Sequence, residues 1–280
     1  MPLVRTGDLV TEARAQGTGL AAFNVITLEH AEAIAAGAER AGRPAVLQIS
    51  ENAVKFHGGL TAIAAATAAV ARASRAPLAL HLDHVESAEL LRLAHTEGFG
   101  SVMFDASKLE YGENVKATAE AVRWGRQRGI WIEAELGKVG GKDGEPPLDA
   151  HAPGVRTDPA EAAAYVADTS VDALAVAVGS SHAMTERTAS LDHTLIAALR
   201  DAVPVPLVLH GSSGVPDTEI RAAVTAGMTK INVGTALNTA FTGAVRDFLT
   251  TDPHTVDPRK YLTRAREAMT TTVTEFLNLL

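Results

Sequence analysis

The sequence contains no cysteine among its 280 residues, and this absence excludes several kinds of site. The chain can have no disulfide framework, no catalytic thiolate and no zinc site built from thiolates. Long apolar runs are also missing, since the most apolar stretch, residues 62–71, contains Thr67 and is too short to span a bilayer. Residues 1–10 carry Asp8 and lack a secretory apolar core. We therefore expect a cytoplasmic protein with no membrane partner.

Positive charge is scarce as well. Lysine and arginine number 25 against 33 aspartates and glutamates, which gives a formal net charge of −8. No run of basic residues offsets this charge, so a nucleic-acid partner or an anionic membrane surface is not expected. A small anionic substrate remains compatible with the composition, because a local site can be positive on a negative protein. Hydrophobic residues at 46% and charged residues at 21% are typical of a globular protein.

Apolar runs of β-rich composition alternate with alanine-rich helical stretches along the whole chain. Eight runs are predicted to be strands, at residues 20–25, 45–49, 78–82, 101–104, 131–136, 173–178, 207–209 and 230–233. Nearly continuous apolar strands separated by helices indicate a parallel sheet covered by helices. We predict an α/β fold, a (β/α)8 TIM barrel, as a single domain over residues 1–280 with a C-terminal helical extension. An open doubly wound sheet is the alternative, but no GxGxxG motif follows an early strand.

Every predicted strand ends in polar residues. In a barrel of this kind the chemistry lies at the carboxyl ends of the strands, so these positions are candidate site residues. They are Asn24, Ser50, Asp83 with His84, Asp105, Glu135, Ser181 with His182, His210 and Asn232. Each histidine alone could be an ordinary polar loop residue, because no HxH or HExxH motif is present. Together, three imidazoles at one barrel mouth predict a catalytic metal site with an open position.

Carboxylates accompany these histidines. Asp83 adjoins His84 and could either orient the metal site or exchange protons with a substrate. Asp105 and Glu135 could be further metal ligands or polar residues of the rim. The other histidines are expected to be structural: His81 lies within its strand and should pack inside the barrel, whereas those in helices or loops, such as His30, should lie at the surface.

Two glycine-containing segments follow the seventh and eighth strands. His210 is followed by Gly211-Ser212-Ser213-Gly214, and the eighth strand ends in Asn232-Val233-Gly234-Thr235. Small residues let backbone N–H groups face an anion, and a helix N-terminus adds a favourable field. Barrel phosphate sites recur after strands seven and eight. A tight turn would explain either segment alone, but the pair beside a candidate metal ligand favours a phosphate site.

At these residues the sequence resembles the class II, zinc-dependent ketose-bisphosphate aldolases, which act on fructose and tagatose bisphosphates. The resemblance runs almost from end to end. It rests on Ala22-Phe23-Asn24-Val25, His81-Leu82-Asp83-His84, Phe104-Asp105-Ala106-Ser107, Glu133-Ala134-Glu135-Leu136-Gly137, Gly179-Ser180-Ser181-His182, His210-Gly211-Ser212-Ser213-Gly214, Lys230-Ile231-Asn232-Val233, Asp257-Pro258-Arg259-Lys260-Tyr261 and Ala265-Arg266-Glu267-Ala268-Met269. Several blocks in one order are more specific than any single motif.

The resemblance implies a Zn²⁺ site with proton-transfer groups around it. The three histidines at the strand ends match the zinc ligands of the family. Asp83 matches the residue that gives a proton to the aldehyde oxygen during condensation, and Asp105 and Glu135 match an alternative metal position. The metal would polarise the ketone carbonyl of the substrate.

The resemblance also implies a set of substrate-binding positions. A monovalent cation, Na⁺ or K⁺, near the phosphate and a homodimer or homotetramer are usual in the family. The positions that match the binding of dihydroxyacetone phosphate or other substrate contacts are Asn24, Ser50, Gly211, Ser212, Ser213, Asn232, Val233, Gly234 and Thr235.

Three positions depart from the family pattern. Ala183, a further predicted substrate-binding position, follows the second zinc histidine, where the family usually has glycine. In the glycine-rich loop after the fifth strand, Asp143 stands where the family has a proton-abstracting glutamate, and Glu145 is the alternative base. Arg264 is the candidate for the far phosphate, although Thr263 and Arg264 straddle the position where some relatives have the arginine.

The function predicted from the sequence is reversible, zinc-dependent cleavage of a ketose 1,6-bisphosphate to dihydroxyacetone phosphate and glyceraldehyde 3-phosphate. The sugar is not fixed, and a related deoxy-ketose phosphate would use the same chemistry. A metal-binding sugar-phosphate sensor without catalysis is a further alternative. A barrel metallohydrolase is disfavoured because the first strand ends in Asn24 without an HxH pair. A Schiff-base aldolase is disfavoured because Lys230 is predicted to begin its strand.

Overall fold

The computed structural model describes residues 3–137, 139–140 and 155–280. Strands and helices alternate along the described chain. The strands are β1 Leu20–Asn24, β2 Ala45–Ser50, β3 Leu78–Val85, β4 Ser101–Phe104, β5 Trp131–Leu136, β6 Ala173–Val176, β7 Leu207–Leu209 and β8 Met228–Val233. The helices are α1 Thr6–Gln16, α2 Leu28–Ala41, α3 Glu51–Phe56, α4 Thr61–Ala73, α5 Ala88–Thr96, α6 Tyr111–Arg126, α7 Pro159–Thr169, α8 His193–Ala202, α9 Asp217–Ala226, α10 Thr235–Thr251 and α11 Pro258–Leu279, with a 3₁₀ turn at Ser212–Gly214.

The eight strands form a closed, all-parallel barrel in sequence order. The barrel closes between β1 and β8, where Leu20 pairs with Lys230 and Phe23 with Val233. The strands are buried almost throughout because helices cover the barrel outside and side chains fill it inside. The predicted TIM barrel is therefore confirmed, and the last helix, α11, is C-terminal and packs on α2 and α10.

Local sequence signals explain where several helices begin. The Asp158 side chain accepts hydrogen bonds from the backbone N–H groups of Ala160 and Glu161, and Pro159 occupies the first helical position of α7. Asp257 and Pro258 begin α11 in the same way. No helix among the described residues has the length and apolar character needed to cross a bilayer.

Helices α1 and α3 were not predicted from the sequence. Helix α1 contacts β1, β3 and β8, and its Thr6 is fully buried with its hydroxyl donating to the Leu80 carbonyl at 3.3 Å. Helix α3 follows β2 directly and is capped by Ser50, whose side chain accepts from the Ala53 N–H. Helix α3 has only six residues, and the buried face of α1 carries three apolar residues, Leu9, Val10 and Ala13, so helix periodicity gives a weak signal in both segments.

Two expectations about single residues are corrected. His30 is buried rather than at the surface, because its side chain completes the N-terminal capping box of α2 and stacks on Phe241 of α10. Strand β8 begins at Met228, two residues before its predicted start, so Lys230 lies within the strand. Lys230 is fully buried inside the barrel. His81 packs inside the barrel, as expected.

Candidate active site

A cavity of about 430 Å³ opens at the carboxyl ends of the strands. Its lining comes from the residues that end or follow β1–β4 and β6–β8. Because all strands of the barrel are parallel, their carboxyl ends and the loops after them share one mouth. The candidate residues from distant parts of the sequence therefore meet in this cavity.

Three histidines converge within the mouth. The ring centroids of His84 and His210 are 4.9 Å apart, those of His84 and His182 are 5.2 Å apart, and those of His182 and His210 are 5.6 Å apart. One ligand atom from each ring and one carboxylate oxygen of Glu135 all lie within 4.8 Å of one another. Three imidazoles with a position left open are the ligand set of a catalytic zinc site, and the Glu135 carboxylate lies beside them.

Hydrogen bonds orient two of the three rings. Nδ1 of His84 lies 2.8 Å from Oδ2 of Asp105, and Nε2 of His210 lies 3.1 Å from Oε1 of Glu133. A carboxylate that accepts from one ring nitrogen leaves the other nitrogen available as a metal ligand. Nδ1 of His210 faces Oε2 of Glu135 at 3.1 Å.

The donor atoms are close enough for a transition metal. Two ligands with bonds of about 2.0–2.1 Å lie at most about 4 Å apart across a metal ion, so a separation limit of 4.8 Å needs only small side-chain rotations. The carboxylate in this set of converging donor atoms is that of Glu135. Asp105 lies beside the set, where its carboxylate is hydrogen-bonded to His84.

The surrounding carboxylates favour positive charge at this point. Burial lowers the pKa of the His210 imidazole, but hydrogen bonds and charge interactions with Glu133 and Glu135 outweigh burial and raise the pKa to about 9. Burial likewise lowers the pKa of His84, and Asp83 and Asp105 reverse the direction so that the pKa is raised. A site that attracts protons in this way also attracts a metal cation, which would compete with those protons.

Asp83 lies next to this centre and is almost completely buried. Its Oδ2 accepts a hydrogen bond from Nε2 of Gln48 at 3.3 Å, and the same amide donates to Oδ1 of Asn24 at 2.6 Å. Burial raises the pKa of the Asp83 carboxyl, but the charges of His84, His210 and Lys230 together bring the pKa below its ordinary value. Asp83 is therefore an ionised carboxylate held in place at the mouth.

The two glycine-containing segments lie side by side after β7 and β8. Gly211 has a φ of +68°, and a Cβ atom there would lie 2.4 Å from the Ser181 carbonyl oxygen. The Ser213 hydroxyl accepts from the backbone N–H groups of Gly234 and Ala236 at 3.3 and 3.0 Å, which ties the second segment and the start of α10 to the first. The result is a compact turn facing the cavity beside a helix N-terminus, which is a suitable site for a phosphate.

Most of the predicted substrate-binding positions line the cavity. Ser50 lines it and also caps α3. Three predicted positions do not line it: Ser212 is buried and donates to the Leu209 carbonyl at 3.2 Å, Val233 is buried in β8, and Arg264 is exposed. The lining positions are Asn24, Ser50, Ala183, Gly211, Ser213, Asn232, Gly234 and Thr235.

The three departures from the family pattern have different outcomes. Ala183 lines the cavity with a φ of +57°, a left-handed conformation that favours glycine. Arg264 is exposed on α11 and is not part of the cavity lining. Asp143 and Glu145 lie outside the described residues.

Sequence reasoning gave no site role to three buried polar residues inside the barrel, Gln48, Glu133 and Lys230. The signal that identifies two of them is strand alternation, because residues two apart on a strand face the same side. Glu133 shares the inward face of β5 with Glu135, and Lys230 shares that of β8 with Asn232. Gln48 pairs in register with His81 of β3.

Comparison with known proteins assigns the family. The family described as fructose-bisphosphate aldolase class-II matches residues 4–280. The chain is 38% identical over 276 residues to a fructose-bisphosphate aldolase of Geobacillus stearothermophilus, covering 98% of this chain and 95% of that protein.

Solved structures agree with this assignment. The YdjI aldolase from Escherichia coli K12 superposes with a TM-score of 0.85 at 31% identity, covering 99% of this chain and 97% of that one. A putative fructose-1,6-biphosphate aldolase from Coccidioides immitis superposes with a TM-score of 0.87 at 29% identity, covering 98% and 95%. The matched region spans the barrel, the converging histidines and α11. The chain belongs to the class II fructose-bisphosphate aldolase family and is an aldolase, a carbon–carbon lyase.

Proposed function

We propose that the chain uses Zn²⁺ to cleave a ketose 1,6-bisphosphate, of fructose or tagatose, reversibly to dihydroxyacetone phosphate and glyceraldehyde 3-phosphate. The observation that carries this proposal is the convergence of ligand atoms from His84, His182, His210 and Glu135 within 4.8 Å at the barrel mouth. An ionised carboxylate, Asp83, lies beside these atoms, and the glycine segments lie in the same cavity.

The three histidines would hold the zinc ion and leave a coordination position open for the substrate, and Glu135 would serve an alternative position of the metal. When bound, a zinc ion supplies Lewis acidity that polarises a ketone carbonyl. Asp105 and Glu133 support this role by accepting hydrogen bonds from the ring nitrogens of His84 and His210 that face away from the donor cluster.

Asp83 has the ionisation state that cleavage requires. In the cleavage direction a base takes the proton of the C4 hydroxyl as the C3–C4 bond breaks, and in condensation the same group returns it to the aldehyde oxygen. The lowered pKa of Asp83 keeps the carboxylate ready to accept that proton. Gln48 holds the carboxylate in place through its hydrogen bond to Oδ2.

The phosphate of dihydroxyacetone phosphate would lie against the turn at Gly211–Ser213 and the start of α10 at Thr235. A monovalent cation, Na⁺ or K⁺, beside this phosphate is part of the proposal. The backbone N–H of Gly234 already donates to Ser213, so the hydroxyl of Ser213 keeps the two segments in a fixed relation before any ligand binds. Such preorganisation reduces the entropy lost on binding.

The second phosphate of the substrate would lie on the side of the mouth opposite the turn at Gly211–Ser213. Two lysines line this side, Lys55 on α3 and Lys108 after β4, and each pairs with a glutamate, Glu51 at 3.0 Å and Glu86 at 2.7 Å. Because Arg264 lies outside the cavity lining, these lysines are better placed than Arg264 to meet a second phosphate. We expect Lys108→Met to raise KM for a bisphosphate more than for the matching 1-phosphate, whereas Arg264→Met should change neither.

We infer that the base that removes the α-proton during condensation lies in residues 141–154. Gly140, the last described residue before this segment, accepts a hydrogen bond from the His182 backbone N–H at 2.7 Å. Asp143 follows three residues along the chain, with Glu145 as the alternative base. Asp143→Ala should slow the exchange of the α-proton of dihydroxyacetone phosphate with solvent while zinc content stays unchanged. Normal exchange in both Asp143→Ala and Glu145→Ala would show that neither residue is the base.

An assay of aldol cleavage over a panel of ketose phosphates tests the proposed function. The panel should contain fructose and tagatose 1,6-bisphosphates, their 1-phosphates and a deoxy-ketose phosphate, each with the zinc-loaded chain. Cleavage of one of the bisphosphates at the highest kcat/KM supports the proposal. Preference for a deoxy-ketose phosphate would reassign the substrate. Tight binding of a bisphosphate without any cleavage would favour the sugar-phosphate sensor.

A further inference from the structure

A chain of buried polar groups inside the barrel begins at His210, a candidate zinc ligand. Nε2 of His210 lies 3.1 Å from Oε1 of Glu133, and Oε2 of Glu133 lies 2.8 Å from Nζ of Lys230. The same Nζ donates a hydrogen bond to Oδ1 of Asn232 at 2.8 Å. The side chains of His210, Glu133 and Lys230 are completely inaccessible to solvent. This chain therefore links a candidate zinc ligand to a residue of the cavity lining, Asn232.

Lys230 determines which way the Asn232 amide faces. A lysine ammonium has three donors and no acceptor, so only the carbonyl oxygen of the amide can face it. The NH₂ group must then lie on the other side of the amide plane. Nδ2 of Asn232 is buried and makes no hydrogen bond to any residue within the described ranges. An amide donor held in this state at a cavity wall is prepared to bind an acceptor oxygen of a ligand.

We propose that Lys230 is a positioning residue, which fixes the Asn232 amide so that its N–H groups face an oxygen atom on the carbon chain of the bound ketose phosphate. This inference rests on the proposed function, because it names the substrate as the acceptor. Glu133 has a second role in the same arrangement, since its carboxylate balances the Lys230 charge inside the barrel. Without Lys230, either end of the amide could face the cavity and the donor would be presented only part of the time.

Electrostatics determine which variants can test this role. Lys230→Met alone would leave the Glu133 carboxylate buried without its cation, and breaking a buried pair in this way is strongly destabilising. The double change Glu133→Gln with Lys230→Met removes both charges together and leaves an oxygen at position 133 that can accept from His210. We call this variant the neutral pair. Because support for a zinc ligand is altered, zinc is supplied in excess and its occupancy is measured in every variant.

The test is a double-mutant cycle that combines the neutral pair with Asn232→Ala. Binding of dihydroxyacetone phosphate to the zinc-loaded protein is measured by calorimetry for the unaltered chain, the neutral pair, Asn232→Ala and the combination. We expect the neutral pair and Asn232→Ala each to weaken binding about tenfold, the effect of one lost hydrogen bond at a buried site. The combined variant should bind dihydroxyacetone phosphate less than about twofold more weakly than Asn232→Ala alone, because the neutral pair acts through Asn232.

Inorganic phosphate distinguishes positioning from general distortion of the barrel. The phosphate site is built from the turn after β7 and the start of α10, so its affinity should change by less than about twofold in the neutral pair. The inference is overturned if the two losses of affinity for dihydroxyacetone phosphate multiply in the combination. It is also overturned if the neutral pair loses as much affinity for inorganic phosphate as for dihydroxyacetone phosphate. Neither result contradicts the proposed function. If the unaltered chain neither binds dihydroxyacetone phosphate nor cleaves a ketose phosphate, the proposed function fails, and this inference fails with it.

Discussion

Asp83 is the residue whose environment most closely matches a single chemical task. It is buried beside the candidate zinc ligands, and the positive charges around it keep its pKa below the ordinary value although burial alone would raise it. Its oxygen is held by Gln48, so the carboxylate does not need to reorganise during the reaction.

We expect Asp83→Asn to lower kcat about 10²–10⁴-fold, the usual loss for an acid–base group. The amide keeps the shape of the carboxylate and can still accept from Gln48, but it cannot take a proton. Zinc content and the free energy of unfolding should remain close to those of the unaltered chain. If this variant instead loses zinc and regains full activity when zinc is added, Asp83 supports the metal and does not transfer protons.

The backbone is strained at Ala183, the residue after His182. Its φ of +57° places an L-residue in the left-handed region, which costs about 1 kcal/mol relative to glycine. Ala183→Gly should therefore raise the free energy of unfolding by roughly that amount, measured by urea denaturation. Ser170 has the same φ of +57° at the end of α7, far from the mouth, so Ser170→Gly is the matched control. A loss of stability in Ala183→Gly would contradict the strain argument.

At the scale of elements, the turn after β7 and the start of α10 form one unit. Gly211→Ala would place a Cβ 2.4 Å from the Ser181 carbonyl oxygen as well as strain a φ of +68°. We expect a loss of phosphate affinity of about tenfold or more, and a loss of stability above the cost of positive φ alone. Gly129→Ala is the control, because Gly129 has a φ of +69° with no atom within 4 Å of its Cβ position. Equal effects of the two substitutions on phosphate affinity would show that the clash is irrelevant.

Nearly continuous apolar runs predicted the barrel strands, because these strands are buried on both faces, and the alanine-rich stretches between them predicted the main helices. Helix α1 was missed since its burial depends on tertiary contacts at the base of the barrel, such as the bond from Thr6 to the Leu80 carbonyl. Strand β8 begins two residues before its predicted start, so Lys230 lies inside a fully buried strand. Its partner Glu133, which explains the burial, is distant in sequence.

At the scale of the whole molecule, closure of the barrel brings together groups that local patterns leave unrelated. The three histidines were found from the sequence because each follows a predicted strand, and the family resemblance gave them a common role. The Lys230–Glu133 pair and the Gln48–Asp83 contact depend on strand register across the barrel, which a single sequence does not specify. The negative net charge likewise gave no indication that Lys55 and Lys108 line one side of the mouth.

Metal dependence of cleavage tests the central claim most directly. The chain is dialysed against a chelator, assayed for cleavage of fructose and tagatose 1,6-bisphosphates, and assayed again after addition of zinc. We predict that cleavage is lost with the metal and returns with one equivalent of zinc, and that His84→Ala, His182→Ala and His210→Ala each lose bound zinc together with activity. His95→Ala, on the outer helix α5, is the control and should keep both. Full cleavage by the metal-free chain, or trapping of the substrate on a lysine by borohydride, would contradict the account.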